Sequence, residues 1–285
     1  MKIEVLGSGG AVTTPRPLCF CRVCRKARRL GVPHQRTGPS LFVHGPDLLV
    51  DTPEESAFQL ARSGIQRVAA GIYSHWHPDH VMGLRVWEMS RDFRRWPREE
   101  RPTPVYFPGG VRDDLVRRLA AGNHLEFLES QGLIRSIVVE EGTSVRIGDC
   151  TVRPFPLAEE YVYAFLLEEA DGPRVLLAPD ELVGWRPPDW LGPLDVAVLP
   201  MGVAEFDPFS GARRIPAEHP ILAAEATFRE TLEIVRKLGA RRTVLTHIEE
   251  PDGLDHDDLL RLEARLETEG HPEIRFAHDT MMLTV

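Results

Sequence analysis

The chain has 285 residues, 42% hydrophobic and 27% charged, which are ordinary values for a globular protein long enough to bury one sizeable core. No apolar run approaches membrane-spanning length and the amino terminus reads as a strand rather than a signal peptide, so a soluble, cytoplasmic protein with no membrane partner is expected. The 43 acidic residues outweigh 34 basic ones and leave a formal charge of -9, which argues against a general nucleic-acid binder.

Lysine occurs only at Lys2, Lys26 and Lys237. Nearly all the positive charge is therefore arginine, which is always ionised and can grip a small anionic substrate bidentately.

In chain order, residues 2–6 form a first strand, followed by Gly7-Ser8-Gly9-Gly10. This glycine run lacks the third glycine and the following helix of a dinucleotide fingerprint, so no nucleotide cofactor is expected. Next, Cys19, Cys21 and Cys24 make a C-x-C-x-x-C cluster too tight for an ordinary disulfide framework. We read it as a structural zinc site that staples an irregular loop, its thiolates stabilised by Arg22, Arg25 and Lys26. Residues 40–44 and 48–50 are strands joined by Gly45-Pro46-Asp47, and residues 55–63 are helical in pattern with Gly64 as a carboxyl cap.

The most informative stretch follows. Residues 67–73 are a short apolar run of buried-strand type, ending where Ser74-His75-Trp76-His77-Pro78-Asp79-His80 begins, and residues 81–87 read as a helix start. Three imidazoles and a carboxylate in H-x-H-x-D-H order suit two adjacent cations of mixed character, His75 and His77 facing one, Asp79 and His80 the next. They sit at a strand's carboxyl end, where open α/β sheets place their sites.

Residues 91–104 are irregular and carry Arg94, Arg95, Trp96, Arg98 and Arg101; they read as a self-paired loop or as a lid over an anionic ligand. A strand at 105–107, a helix at 113–121 and a shorter helix at 125–132 come next. Six strand-type runs then fall at 137–139, 144–147, 151–155, 163–167, 174–177 and 196–199. An amphipathic helix at 227–238 leads into a strand at 242–246. Strand clusters with interspersed helices predict an α/β protein of two packed sheets covered by helices, in a single domain over 1–285.

The glycine loop after the first strand, Leu49-Val50-Asp51, the H-x-H-x-D-H loop and Leu245-Thr246-His247-Ile248 together resemble the metallo-β-lactamase superfamily over nearly the whole length. The resemblance implies a four-layer αβ/βα sandwich with two divalent ions, zinc or manganese, at its edge. It further implies that Asp51 orients a ligand, Asp180 bridges the ions and His247 completes the second. The cysteine cluster and the closing residues 274–281 are similar to the cyclic ribose phosphate phosphodiesterases of phosphonate breakdown, and the cysteines also to pyrroloquinoline quinone biosynthesis protein B.

Three departures from that pattern bear on chemistry. Where the family supplies a histidine to the first ion, this chain has Pro156-Leu157-Ala158-Glu159-Glu160-Tyr161, so Glu159, or Glu160 in its place, is the expected ligand. With Asp79, Asp180 and a bridging hydroxide, that carboxylate neutralises two divalent ions, weakens the electrophile and shifts preference towards harder ions such as manganese. His219 stands nearest the position of the family's general acid, although about one to two helical turns early. The fourth ligand of the structural zinc falls on Glu250 by position, with His256 and His34 as alternatives.

The expected function is a dinuclear metal-dependent hydrolase in which a metal-bridging hydroxide, held beside Asp79, attacks a small phosphodiester, such as a cyclic phosphate, and His219 protonates the leaving alkoxide. A non-hydrolytic metal or redox protein, or a partner in cofactor biosynthesis, is the rival reading. The sequence is compatible with a homodimer and does not fix the oligomeric state.

Overall fold

The computed structural model describes residues 1–92, 94, 101–271 and 273–285. Its strands are β1 (Lys2–Gly7), β2 (Ser40–His44), β3 (Leu48–Val50), β4 (Ala70–Ile72), β5 (Thr103–Pro108), β6 (Ile134–Val139) and β7 (Val145–Ile147). They continue as β8 (Cys150–Pro156), β9 (Tyr163–Glu169), β10 (Arg174–Leu177), β11 (Val196–Pro200), β12 (Arg242–Thr246), β13 (Glu273–Phe276) and β14 (Met282–Thr284). The α-helices are α1 (Arg22–Leu30), α2 (Ser56–Ser63), α3 (Pro78–Val81), α4 (Val86–Met89), α5 (Val111–Leu119), α6 (Gly122–Ser130), α7 (Ile221–Ala224), α8 (Phe228–Leu238) and α9 (His256–Thr268).

Two seven-stranded sheets result, ordered β14-β1-β2-β3-β4-β5-β6 and β13-β12-β11-β10-β9-β8-β7. Strand alternation shows how the second sheet is covered on both faces. On β9, Tyr163, Phe165 and Leu167 join the core shared with the first sheet, which includes Val5, Phe42 and Val105. The intervening Ala164 and Leu166 instead meet Ile234 and Val235 of α8 and Leu259, Leu262 and Leu266 of α9. Helix, sheet, sheet, helix is the expected layering.

β3–β4–β5–β6 and β10–β11–β12–β13 run parallel, so several strands deliver their carboxyl ends to the same edge. Residues 74–80 follow β4, Asp180 follows β10 and His247 follows β12. The helix expected over 81–87 is two short helices, α3 and α4, and those expected at 113–121 and 125–132 begin two to three residues earlier. The cysteine segment is not wholly irregular: Cys21 caps the 9-residue α1. Most of the arginine-rich loop reading rests on residues 93 and 95–100, which lie outside the described residues; Arg94 pairs with Asp92 at 2.8 Å.

Candidate metal centre

Asp51 organises the centre from beneath. Its Oδ1 accepts from the Ser74 amide at 2.8 Å, and its Oδ2 lies 2.7 Å from the Ser74 hydroxyl and 2.8 Å from His80 Nδ1. The Ser74 hydroxyl also meets His75 Nδ1 at 3.0 Å. Both imidazoles thus have one nitrogen occupied from below and Nε2 aimed into the site, the arrangement by which an outer carboxylate fixes a metal-binding histidine.

His75, His77, Asp180 and Glu181 offer ligand atoms that all lie within 4.8 Å of one another, and Asp79, His80 and His247 form a second such group. Asp180 joins the two: one oxygen lies 3.6 Å from both His75 Nε2 and His80 Nε2, the other 3.4 Å from His247 Nε2. Asp79 Oδ2 is 3.4 Å from His80 Nε2 and from His247 Nε2. Atoms bound at about 2.0–2.1 Å around one tetrahedral ion stand roughly 3.3 Å apart, so these spacings are those of ligands awaiting a shared centre.

Buried polar atoms ordinarily find partners. Here His75 Nε2, His80 Nε2, His247 Nε2, Asp79 Oδ2 and Asp180 Oδ1 are all buried without a hydrogen-bond partner. Five orphaned atoms converging in one place fit divalent cations, with Asp180 bridging. Their electrostatics agree. Burial drives the His75 imidazole well below its ordinary value, assisted by His80 and His77. Against the same burial penalty, Asp180 and Asp79 push His247 up to about 10, and Asp79 and Asp51 lift His80.

Glu159 is not brought into this group. It sits with Glu160 on an exposed turn closed by Val162 N donating to the Glu159 carbonyl at 2.9 Å, which leaves both side chains towards solvent. The carboxylate grouped with His75, His77 and Asp180 is instead Glu181. Its backbone takes a left-handed φ of 48°, its Oε1 lies 3.2 Å from His77 Nδ1, and Tyr161 Oη donates to its Oε2 at 2.8 Å. Burial and the neighbouring Asp180 raise its carboxyl to about 7. Glu181, not Glu159, is thus the additional carboxylate in this group.

His219 is also displaced from its expected place: it is exposed, and its Nδ1 accepts from the Ile221 amide at 3.2 Å. The cavity of 260 Å³ beside the ligands is lined by Glu225, Glu249 and Asp252, with Ala11, Val12, Val203 and Ile221 among its apolar walls. Glu225 follows α7 and is held there by Val203 N donating to the Ala226 carbonyl at 2.9 Å. Burial, then Asp180, push its carboxyl up to about 8. Glu249 is likewise raised by burial, and its Oε1 accepts from Val12 N at 2.9 Å.

The glycine run has a packing purpose. A Cβ on Gly10 would come 2.3 Å from the His247 ring and 2.9 Å from Glu249 Oε1, so only glycine lets the first loop close over His247.

Cys19, Cys21, Cys24 and Glu250 form a separate group within 4.8 Å of one another. Glu250 Oε1 lies 2.8 Å from Cys21 Sγ and 3.4 Å from Cys19 Sγ, and Arg16 Nε holds the other oxygen at 2.6 Å. Three sulfurs and a carboxylate fit one zinc. His34 and His256 instead pack edge-to-face on each other, with ring centroids 5.5 Å apart, outside this group. Arg22 and Lys26 are turned away from the thiols to Asp255, Asp257 and Asp258 at the start of α9.

A family model described as a β-lactamase superfamily domain matches residues 42–248. The chain belongs to the metallo-β-lactamase superfamily. Among curated proteins it is 25% identical over 256 residues to a ribonuclease Z of Methanothermobacter thermautotrophicus, covering 74% of this chain and 80% of that one. It is 30% identical over 159 residues to an octanoyltransferase of Porphyromonas gingivalis, covering 54% of this chain but only 30% of that protein's length. Among solved structures, a diphosphatase of the PhnP family aligns at TM-score 0.69 and 22% identity over 100% of this chain and 97% of the other. Zinc-bound PqqB of Methylobacterium extorquens aligns at TM-score 0.69 and 18% identity over 100% of both, a likeness of fold.

Proposed function

We propose that the protein is a dinuclear metal-dependent hydrolase of a small phosphodiester, with His75, His77, Asp180 and Glu181 around one ion and Asp79, His80, Asp180 and His247 around the other. The observation that carries this reading is the convergence of five buried, unpartnered ligand atoms, three of them from residues that line the cavity. Divalent ions such as zinc or manganese, when bound, lower the pKa of water to generate a nucleophile and polarise the ester.

The chain's own residues do the rest. Asp51 and Ser74 hold His75 and His80 in the tautomer that presents Nε2. Glu225, which lines the same cavity as Asp79, Asp180 and His247, is placed to deliver a proton to the departing alkoxide, the role expected of His219. A cavity of 260 Å³ favours a small molecule over RNA as the substrate.

The test is metal analysis beside turnover. Two equivalents of zinc or manganese beyond the cysteine-bound zinc, with cleavage of bis-p-nitrophenyl phosphate, is the expected result. A fully loaded protein inert towards phosphodiesters would overturn the substrate. Redox-active iron in the same site, with oxygen-dependent chemistry, would overturn the hydrolase.

A further inference from the structure

Between Glu4 and Asp47 the chain has no acidic residue, although its formal charge as a whole is -9. The cations of this stretch gather on and beside α1. Arg22 and Lys26 are taken up by Asp255, Asp257 and Asp258 at the start of α9. Arg25, Arg28 and Arg29 are exposed on α1 and make no ion pair among the described residues. Arg28 instead donates to the Cys19 and Arg16 carbonyls and lies 4.8 Å over the Phe20 ring. The same part of the surface projects apolar side chains. Leu18 is 96% exposed and Phe20 65%, on the turn that enters α1, and Leu30 and Val32 are exposed where the helix ends. Leu18 also holds a left-handed φ of 60°, a costly state for a bulky residue, while its side chain stands in solvent. The turn is held in place from both sides, by Arg28 and by Glu250 against Cys19 and Cys21.

We infer that this face docks peripherally on an anionic lipid surface, Leu18 and Phe20 entering the interface while Arg25, Arg28 and Arg29 meet the headgroups. Protruding apolar side chains flanked by unpaired cations complement an apolar phase bounded by negative charge, and the two attractions add. The alternatives fit less well. A second copy seated on the same patch would set these arginines against their own equivalents across a two-fold axis. RNA would attract the arginines but gains nothing from the aliphatic Leu18, Leu30 and Val32, because bases are held by stacking on aromatic and guanidinium planes. No helix among the described residues is long and apolar enough to cross a membrane, so the contact is with the surface alone.

The test is co-sedimentation of the full, metal-loaded chain with vesicles of phosphatidylcholine alone and of phosphatidylcholine mixed with phosphatidylglycerol. The mixed vesicles should bind it at least about tenfold more strongly, since each arginine near an anionic leaflet contributes about fivefold. Sodium chloride at about 1 M, where charges are screened beyond about 3 Å, should remove most of that preference. Two double variants locate the contact. Leu18→Ser with Phe20→Ser removes the inserted groups, and Arg29→Glu with Leu30→Ser alters the end of α1 far from the thiols. Each should weaken binding to the mixed vesicles by about tenfold or more, with zinc content measured alongside. If the first pair disturbs the cysteine site, the second still decides the matter. Equal partitioning onto neutral and anionic vesicles would overturn the inference, as would binding that Arg29→Glu with Leu30→Ser leaves intact. Capture by polyuridylate with no sedimentation on either vesicle would replace the lipid surface with RNA and overturn it as well.

Discussion

Glu181 places a carboxylate beside His77, in the group proposed to hold the first ion. It stands immediately after the bridging Asp180, and its left-handed backbone swings its carboxylate to His77, with Tyr161 securing the remaining oxygen. An oxygen donor in place of imidazole favours harder ions, so Glu181→His should raise zinc affinity relative to manganese, while Glu181→Gln should cost one ion and about 100-fold or more in kcat/KM. Inductively coupled plasma analysis of each variant gives the metal count; two ions retained in Glu181→Gln would exclude it as a ligand. The proton donor can be tested the same way. Glu225→Gln should lower turnover of an alkyl phosphodiester by about 100- to 10,000-fold and that of a p-nitrophenyl ester much less, since a good leaving group needs no acid. His219→Ala, on an exposed turn, should stay within about threefold of the unmodified protein; a loss as large as that of Glu225→Gln would restore His219 to the mechanism.

At the scale of elements, the legible parts are those encoded locally. The histidine loop has its own spacing, and Asp180 and His247 directly follow strands that read as strands. Thr227 begins α8 with a capping box to Glu230, a pattern visible in sequence. Glu181 and Glu225 were not legible because contact with the ions' site depends on a left-handed turn in one case and on a bridge between residues 203 and 227 in the other. Helix α9 likewise starts with a local signal, a capping box of Asp255 and Asp258. That start also carries His256, packed edge-on between His34 and His278. Burial first, then Arg36, His278 and His34, push the His256 imidazole down to about 4, against the partial pull of Asp257. Its folded pKa is below the unfolded value near 6.5, so between those values the unfolded chain binds more protons. Stability from this group is therefore full above pH 6.5, falls as pH drops towards 4 and changes no further below that. Denaturant titrations across this window should show a shallower pH slope in His256→Asn than in the unmodified protein; identical slopes would remove His256 as a source of acid sensitivity.

For the whole molecule, the metal centre joins two sheets that the chain must bring together from opposite halves. His75 to His80 follow β4 of the first sheet, whereas Asp180 and His247 follow β10 and β12 of the second. At this junction His75, His80, His247, Asp79 and Asp180 bring buried ligand atoms from both sheets to one place. Ions that bind only the folded state act as ligands for the whole fold. At a free concentration about 1,000 times the dissociation constant, one site contributes about 4 kcal/mol. For a chain of this size each kcal/mol corresponds to about 2–4 °C in Tm. Stripping one active-site ion should therefore lower Tm by about 8–16 °C and stripping both by about twice that, and returning manganese or zinc should restore it in step with each equivalent bound. The cysteine site should be separable: Glu250→Ala, which removes one of four ligands at the anchor of α1, should lose its own zinc without altering the count at the dinuclear centre. Scanning calorimetry with parallel metal analysis measures both effects, and a Tm indifferent to metal would mean that the two sheets do not depend on ions at their shared edge.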